Sequence, residues 1–361
     1  MASISPFRIK LWDIHPTHRG RLSLKAVIED AADIGVSQYA NEAGEMFFTL
    51  PMKHPQIAEC VPLTRHWEVS RRNSAGTYDI LGKGLLDDYD ASGDEVIFYG
   101  LDYLGVFTKS ITANNQSYAS TLIGNIIQTQ FTDYRAASNS PIGFLASGTI
   151  NVSTRTVTVV TSFEERLAFW RGLLEILQGA GTTRPLLSIN NQADPPTFNF
   201  VANDGQDRND IRLEYGKGVL DFRYVPGFAN LATTNRAMGV KREGASVLYS
   251  TQVYGASSTY GDLQMSALYT DLINQAELDS RALAELRDRY DRGGSLYVSL
   301  SQDQISRTLP GVHWNIADSM KVVVNRGIVD IDALYTGWGY EWLGKSDGSE
   351  SLFIDLQPKL I

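Results

Sequence analysis

A chain of 361 residues, 43% hydrophobic, 10% aromatic and 20% charged, is long enough to bury more than one core and has the make-up of a folded globular protein. Its formal charge of −9 argues against tight general binding of nucleic acid, whose phosphates it repels, but suits a wall past which nucleic acid slides. One cysteine, Cys60, excludes an intramolecular disulfide and a Cys-rich metal site, and no run approaches the ~18 apolar residues of a membrane helix.

The first hundred residues read as strands. "FRIKLWDI", "RLSLKAVIEDA", "GEMFFTLPM", "HWEVSRRN", "YDILGKGLLDDYD" and "EVIFYGLDYLGVF" follow one another, several alternating polar and apolar residues. "RNSAGTY" and "DASGDE" are the turns between them. This spacing predicts a small antiparallel barrel or sandwich. Near residue 115 the period changes. "SYASTLIGNIIQTQF" predicts a helix capped by Ser117 or Ser120, and "GTINVSTRTVTVV", 148–160, one β-branched strand. "SFEERLAFWRGLLEILQGAG" predicts a helix started by Ser162, ended by Gly179, with Phe163, Leu167, Trp170, Leu174 and Leu177 on its apolar face. Strands resume at "DIRLEYGKGVLDFRYV". A third helix is expected in "NQAELDSRALAELRDRYDRGG", with Ala282, Leu283, Leu286 and Tyr290 as its stripe. The tail returns to strands through "SLYVSLSQ", "MKVVVNRGIVDIDALYTGWGYEWLG" and "SLFIDLQP". "GKGLLDDYD" at 82 is echoed by "GKGVLDFRY" at 216, which fits either an internal duplication or coincidence.

The chemical motifs fall short of their templates. Gly82-Lys83-Gly84 has no glycine five residues earlier and no helix after it, so a strand bend explains it better than a phosphate loop. Asp87, Asp88 and Asp90, and Asp204, Asp207 and Asp210 around Gly205, miss the spacing of a calcium loop. His15 and His18 form H-x-x-H, but His54, His66 and His313 are scattered. Cys60 lies in apolar "AECVPL" and reads as buried. Glu164-Glu165 suits a helix start, and Asp330 and Asp332 share the polar side of a strand. No nucleophile–base or metal-ligand spacing supports an enzyme, and no cofactor is implied. Trp338, Tyr340 and Trp342 in "YTGWGYEWLG" stand out as aromatics at alternating positions. Core packing, a subunit interface and a sugar platform all use such rings.

The order of "GEMFFTLPMKHPQ", "TRHWEVSRR", "YDILGKGLLDDYD" and "EVIFYGLDYLGVF", with Gly100-Leu101-Asp102-Tyr103-Leu104 in the last, resembles the opening of the siphophage tail hub, or minor tail protein, family. That family is similar to the central baseplate hub of contractile phages. "SFEERLAFWRGLLEILQGAG", "GKGVLDFRYVPGFANLATTNRAMG" and "NIADSMKVVVNRGIVDIDALYTGWGYEW" resemble its later landmarks, so the likeness covers nearly the whole chain. It implies a β-rich α+β fold with two tail-tube-like β-barrels: residues 1–110, an inserted α+β module at 111–210, and residues 211–361 with a helical excursion about 262–292. It also implies a structural virion protein at the distal tail tip, made in the host cytoplasm without a membrane segment of its own. The family forms a homotrimer that adapts sixfold tail rings to a threefold tip around the DNA channel. Its expected neighbours are the distal tail ring protein, the tape measure protein and tip or fibre proteins, with DNA passing unbound during genome ejection. Trp338, Tyr340 and Trp342 are then candidate interface residues. A ring-forming distal tail or baseplate protein and a carbohydrate-binding tail protein are the alternatives.

Overall fold

The structure, a computed structural model, describes residues 6–14, 22–137, 140–150, 155–180, 185–201, 205–226, 231–241, 246–254, 262–272, 274–291 and 294–359. The first block comprises β1 (Phe7–Ile14), β2 (Leu22–Ile28), β3 (Asp33–Tyr39), β4 (Glu45–Pro51), β5 (His66–Arg72), β6 (Tyr78–Ser92) and β7 (Glu95–Asp102). A 3-10 turn, Gly105–Lys109, leads into the middle module. There β8 (Ser117–Leu122), α1 (Ile123–Ala136), β9 (Ala146–Ile150), β10 (Thr156–Val160), α2 (Arg166–Ala180), β11 (Leu186–Asn190) and β12 (Thr197–Val201) follow. The last block holds β13 (Asp207–Tyr215), β14 (Gly218–Val225), β15 (Thr234–Lys241), β16 (Val247–Val253), β17 (Gln264–Leu272), α3 (Gln275–Asp291), β18 (Ser295–Leu300), the short α4 (Gln302–Ile305), β19 (Ser319–Arg326), β20 (Val329–Lys345) and β21 (Glu350–Pro358). The expected β-rich α+β architecture is the one found.

Thirteen of these strands form one sheet. Six of them, β13–β14–β18–β21–β20–β19, close into a ring because β19 pairs with both β13 and β20. The other seven run on from β20 in the order β3–β4–β7–β6–β5–β1–β2. This run, the first ring in chain order, curls back until Phe7 of β1 meets Trp342 of β20, ring centroids 5.0 Å apart and edge to face. Gly344 makes the approach feasible, since a Cβ there would stand 2.4 Å from Trp342 and 2.9 Å from Phe7. The two rings share β20 and one continuous apolar core, from Ile9, Leu11 and Phe48 to Val322, Ile354 and Leu356.

The middle module has its own core around Phe107, Phe131, Trp170 and Phe198, and it docks on the first ring through Leu85 and Tyr103. Its local structure departs from the sequence pattern in three places. Residues 117–122 are strand, laddered with 156–160, and the helix starts at Ile123 with no side-chain cap. The segment read as one strand over 148–160 is two: β9 runs parallel to β12, and β10 pairs with β8. α2 begins at Arg166 and continues through Ala180, so neither Ser162 nor Gly179 marks an end, and Phe163 lies outside it, 62% exposed. Leu167, Trp170 and Leu174 are buried as expected, with Leu173 and Ile176 beside them.

More of the last block leaves the ring than the helical pattern indicates. β16, β15 and β17 make a separate three-stranded sheet, and α3 covers one face of it through Leu278 and Ala282 while packing against α2. The side chain of Tyr290 lies outside the described residues.

Candidate interaction surfaces

β20 is long enough to serve both rings. Its first half pairs with β19 and its second with β3. A bulge between Gly337 and Gly339 separates the two and takes Trp338 out of register. Trp338 is consequently half-buried against Ala40, Leu186 and Ala317. Tyr340 is buried, its hydroxyl 2.9 Å from both the Gln38 side-chain oxygen and the Leu81 carbonyl. Trp342 is fully buried, and its indole N–H donates to Glu350 at 3.1 Å. The trio expected at a subunit interface therefore meets groups of its own chain: Tyr340 and Trp342 fasten one ring to the other.

Charged residues make the same junction. Arg71 of β5 grips Glu350 of β21 with two hydrogen bonds of 2.6 and 2.5 Å, and its guanidinium also reaches Ser306 at 3.0 Å. Both side chains are nearly out of solvent, at 11% and 3% exposure.

The other motif residues are held structurally. Gly82, Gly84 and Gly100 bed the Trp67 indole: a Cβ at Gly84 would lie 2.7 Å from it and 1.9 Å from the Leu101 carbonyl. The first Gly-Lys-Gly makes room for a ring, and the expected bend or bulge is beside it, where Val69 faces Gly82 and Ser70 faces Ile80. The second turns the chain between β13 and β14, with Gly216 and Gly218 at φ of 81° and 105°, so the echo does not mark equivalent positions. Asp87 pairs with Lys109, Asp207 with Lys359 and Asp210 with Arg208, while Asp88 and Asp90 are exposed. His54 pairs with Asp30, and His313 accepts from the Leu309 amide. No group of three metal-ligating side chains forms among the described residues; His15, His18 and Asp204 lie outside them. Burial pushes the Cys60 thiol up to about 12, which keeps it protonated.

The outer face of the fused sheet carries a row of aromatic and acidic side chains. Gly35 and Gly339 let Phe47 and Tyr39 lie flat across neighbouring strands. Cross-strand partners extend the row, with Phe47 opposite Tyr99, Glu341 opposite Phe353 and Asp355 opposite Tyr297. Tyr99, Phe353 and Tyr297 are each exposed by about two-fifths. The face is acidic. The Tyr39 hydroxyl is held above its ordinary range by burial and then by Glu341, Asp355, Glu45 and Glu42 around it.

Two buried ionisable groups flank the docking of the middle module. Asp102, of the Gly-Leu-Asp-Tyr-Leu segment, accepts from the Gly105 amide at 2.6 Å. Burial pushes its carboxyl up to about 7, against the hydrogen bonds from Gly105, Gly44 and Leu104 that hold it down. His66, edge-on to Phe144 at 5.1 Å, is pushed down to about 3 by burial. Their stability contributions oppose each other. That of Asp102 is complete below 3.8, the value of a free aspartic acid, and is lost as pH rises through about 7. That of His66 is complete above 6.5 and is lost as pH falls toward 3. Asp102→Asn removes only the first. Between pH 4 and 7 the melting temperature of the variant, measured against wild type, is expected to gain steadily as pH rises. Parallel melting curves across this range would show that Asp102 carries no such proton.

Neither a protein-family model nor a curated protein sequence matches the chain. Solved structures do match. The 43 kDa tail protein of prophage MuSo2 from Shewanella oneidensis aligns at a TM-score of 0.63 and 12% identity, covering 97% of this chain and 97% of that one. A tail protein from Neisseria meningitidis MC58 gives 0.61 and 12%, over 98% and 97%. The chain has the fold of these phage tail proteins. The E. coli c3393 protein, a component of the type VI secretion system with structural similarity to the T4 bacteriophage tail proteins gp27 and gp5, gives 0.52 and 12%, over 91% and 74%. The alignments run through both strand rings and the middle module, so the tail-tube-like architecture expected from the order of motifs is present along the chain. At 12% identity the fold is what is shared.

Proposed function

We propose that the chain is a structural protein of a phage tail: a trimeric hub at the distal end, surrounding the DNA channel and adapting sixfold tail rings to a threefold tip. The observation that carries this reading is the pair of fused strand rings sharing β20 within one polypeptide. Three copies present six rings, which matches a sixfold neighbour while the assembly keeps threefold symmetry. The acidic outer face, with Glu45, Glu341 and Asp355, is the candidate wall of the channel. Duplex DNA carries about one charge per 1.7 Å, and a wall of like sign lets it pass without counterion-release binding. In this role the chain neither turns over a substrate nor carries a cofactor. It resides in the virion at the tail tip, where it contacts a distal tail ring protein, a tape measure protein and tip or fibre proteins.

Sedimentation equilibrium of the purified chain tests the reading. The expected mass is three times the 39.9 kDa of the protomer, and the assembled species should not retard duplex DNA in a low-salt mobility shift. A hexamer would favour a ring-forming distal tail protein in place of a hub. Tight, salt-sensitive DNA binding would overturn the account of the wall.

A further inference from the structure

The outer side of the first ring carries a second surface of opposite character. Where β1, β5 and β6 lie side by side, Arg8, Lys10, Glu68 and Lys83 face a cleft of about 640 Å³. Its far wall comes from the middle module: Gln192, whose amide donates to the Ile80 carbonyl at 2.8 Å, and Asp194, Pro195 and Pro196 beyond it. The volume falls within the range of small-ligand sites, roughly 300–1,000 Å³.

Charge in this cleft is unbalanced. Glu68 answers two ammonium groups at once, Lys10 at 2.7 Å and Lys83 at 3.6 Å, with Glu68 9% and Lys83 12% exposed. The Arg8 guanidinium lies 3.8 Å over the Tyr78 ring, and among the described residues it meets no carboxylate. Its Nε is buried without a hydrogen-bond partner. Three cations thus face two carboxylates, the buried Glu68 and the exposed Asp194, which leaves the cleft net positive in a chain whose net charge is −9. Uncompensated positive charge and an orphaned donor in a walled cleft are the conditions under which an anion binds with charge-assisted hydrogen bonds. Trp12, 5.5 Å from the Lys10 ammonium, adds a flat apolar wall for the body of a ligand.

We propose that this cleft is a binding site for an organic or inorganic oxyanion of at least two negative charges, taken up between Arg8 and the Lys10–Lys83 pair. The site lies on β1, β5 and β6, away from β4, β20 and β21, which carry Glu45, Glu341 and Asp355, and it does not depend on the hub reading.

Titration calorimetry of the full chain with citrate and, separately, with pyrophosphate tests it. Saturable binding of at least one anion, at about one per chain, is expected. Citrate alone would assign carboxylate ligands, and pyrophosphate alone would assign phosphoryl ligands. Arg8→Gln should weaken the binding by about ten- to a hundredfold, the effect of losing a charged hydrogen bond. Glu68→Gln should strengthen it, because the anion no longer competes with a resident carboxylate. Lys10→Gln, at a more exposed position, should weaken it if the Glu68 variant does not fold. Absence of saturable binding with both anions, or equal affinity in wild type and Arg8→Gln, would overturn the proposal.

Discussion

Trp170→Ala will lower the unfolding free energy by about 3–5 kcal/mol, the range for deleting a fully buried large ring. Trp170 is wholly buried, 4.7 Å from Phe107 and 5.3 Å from Phe198 by ring centroid, and its indole N–H donates to Gln130 at 2.8 Å. Truncation opens a cavity among aromatic rings too stiff to fill it, and it strands the acceptor of Gln130, a residue only 1% exposed. Denaturant titration measures the loss. Unchanged melting combined with failed assembly would move this helix face from the module core to a subunit contact.

Trp170 was legible because α2 is long and its apolar residues recur at helical spacing. Most ring strands were legible for the matching reason, since β4, β5 and β7 alternate or are β-rich and end at turn residues. β3 was not, because "DIGVSQY" spends its middle on a glycine. That glycine is there for Phe47, a partner on another strand, and such a demand leaves no local trace. Residues 117–122 went to the wrong element for a similar reason. Their apolar neighbours have helical spacing, but the ladder to β10 claims their backbone. Period also cannot say which sheet a strand joins, so β9 and β10 read as one, β15 and β16 read as barrel, and β17 fell within the helical excursion.

The candidate surfaces were harder still. Trp338, Tyr340 and Trp342 were visible as a cluster, yet alternation alone does not distinguish rings used between chains from rings used within one. The bulge at Gly337 and Gly339 leaves Trp338 half-buried, and the curl of the first ring onto β20 puts Trp342 in the core. The acidic outer face joins Glu42, Glu45, Glu341 and Asp355 from opposite ends of the chain, and the cleft joins Arg8 to Lys83 and Gln192. No spacing rule links residues that far apart.

Arg71→Met should cost about 3–5 kcal/mol, because it leaves the Glu350 carboxylate buried with its countercharge gone. Surface ion pairs are worth ~1 kcal/mol or less, so the size of the loss separates the two situations. Glu350 is 3% exposed and would retain the Trp342 indole as donor, at 3.1 Å. A single neutral donor does not offset the desolvation of a carboxylate. The double variant Arg71→Met, Glu350→Gln should recover much of the loss: no charge is then buried, and the Gln side-chain oxygen still accepts from Trp342. A double-mutant cycle in urea measures this coupling. The clamp joins β5 to β21, two strands in different rings of one sheet. Its loss should therefore accelerate amide exchange along β1 and β5, where the first ring closes by side chains alone, before it does so in β19 and β20, where hydrogen bonds close the ring. A loss of less than 1 kcal/mol, or uniform acceleration through both rings, would mean that the shared core holds them together without the clamp.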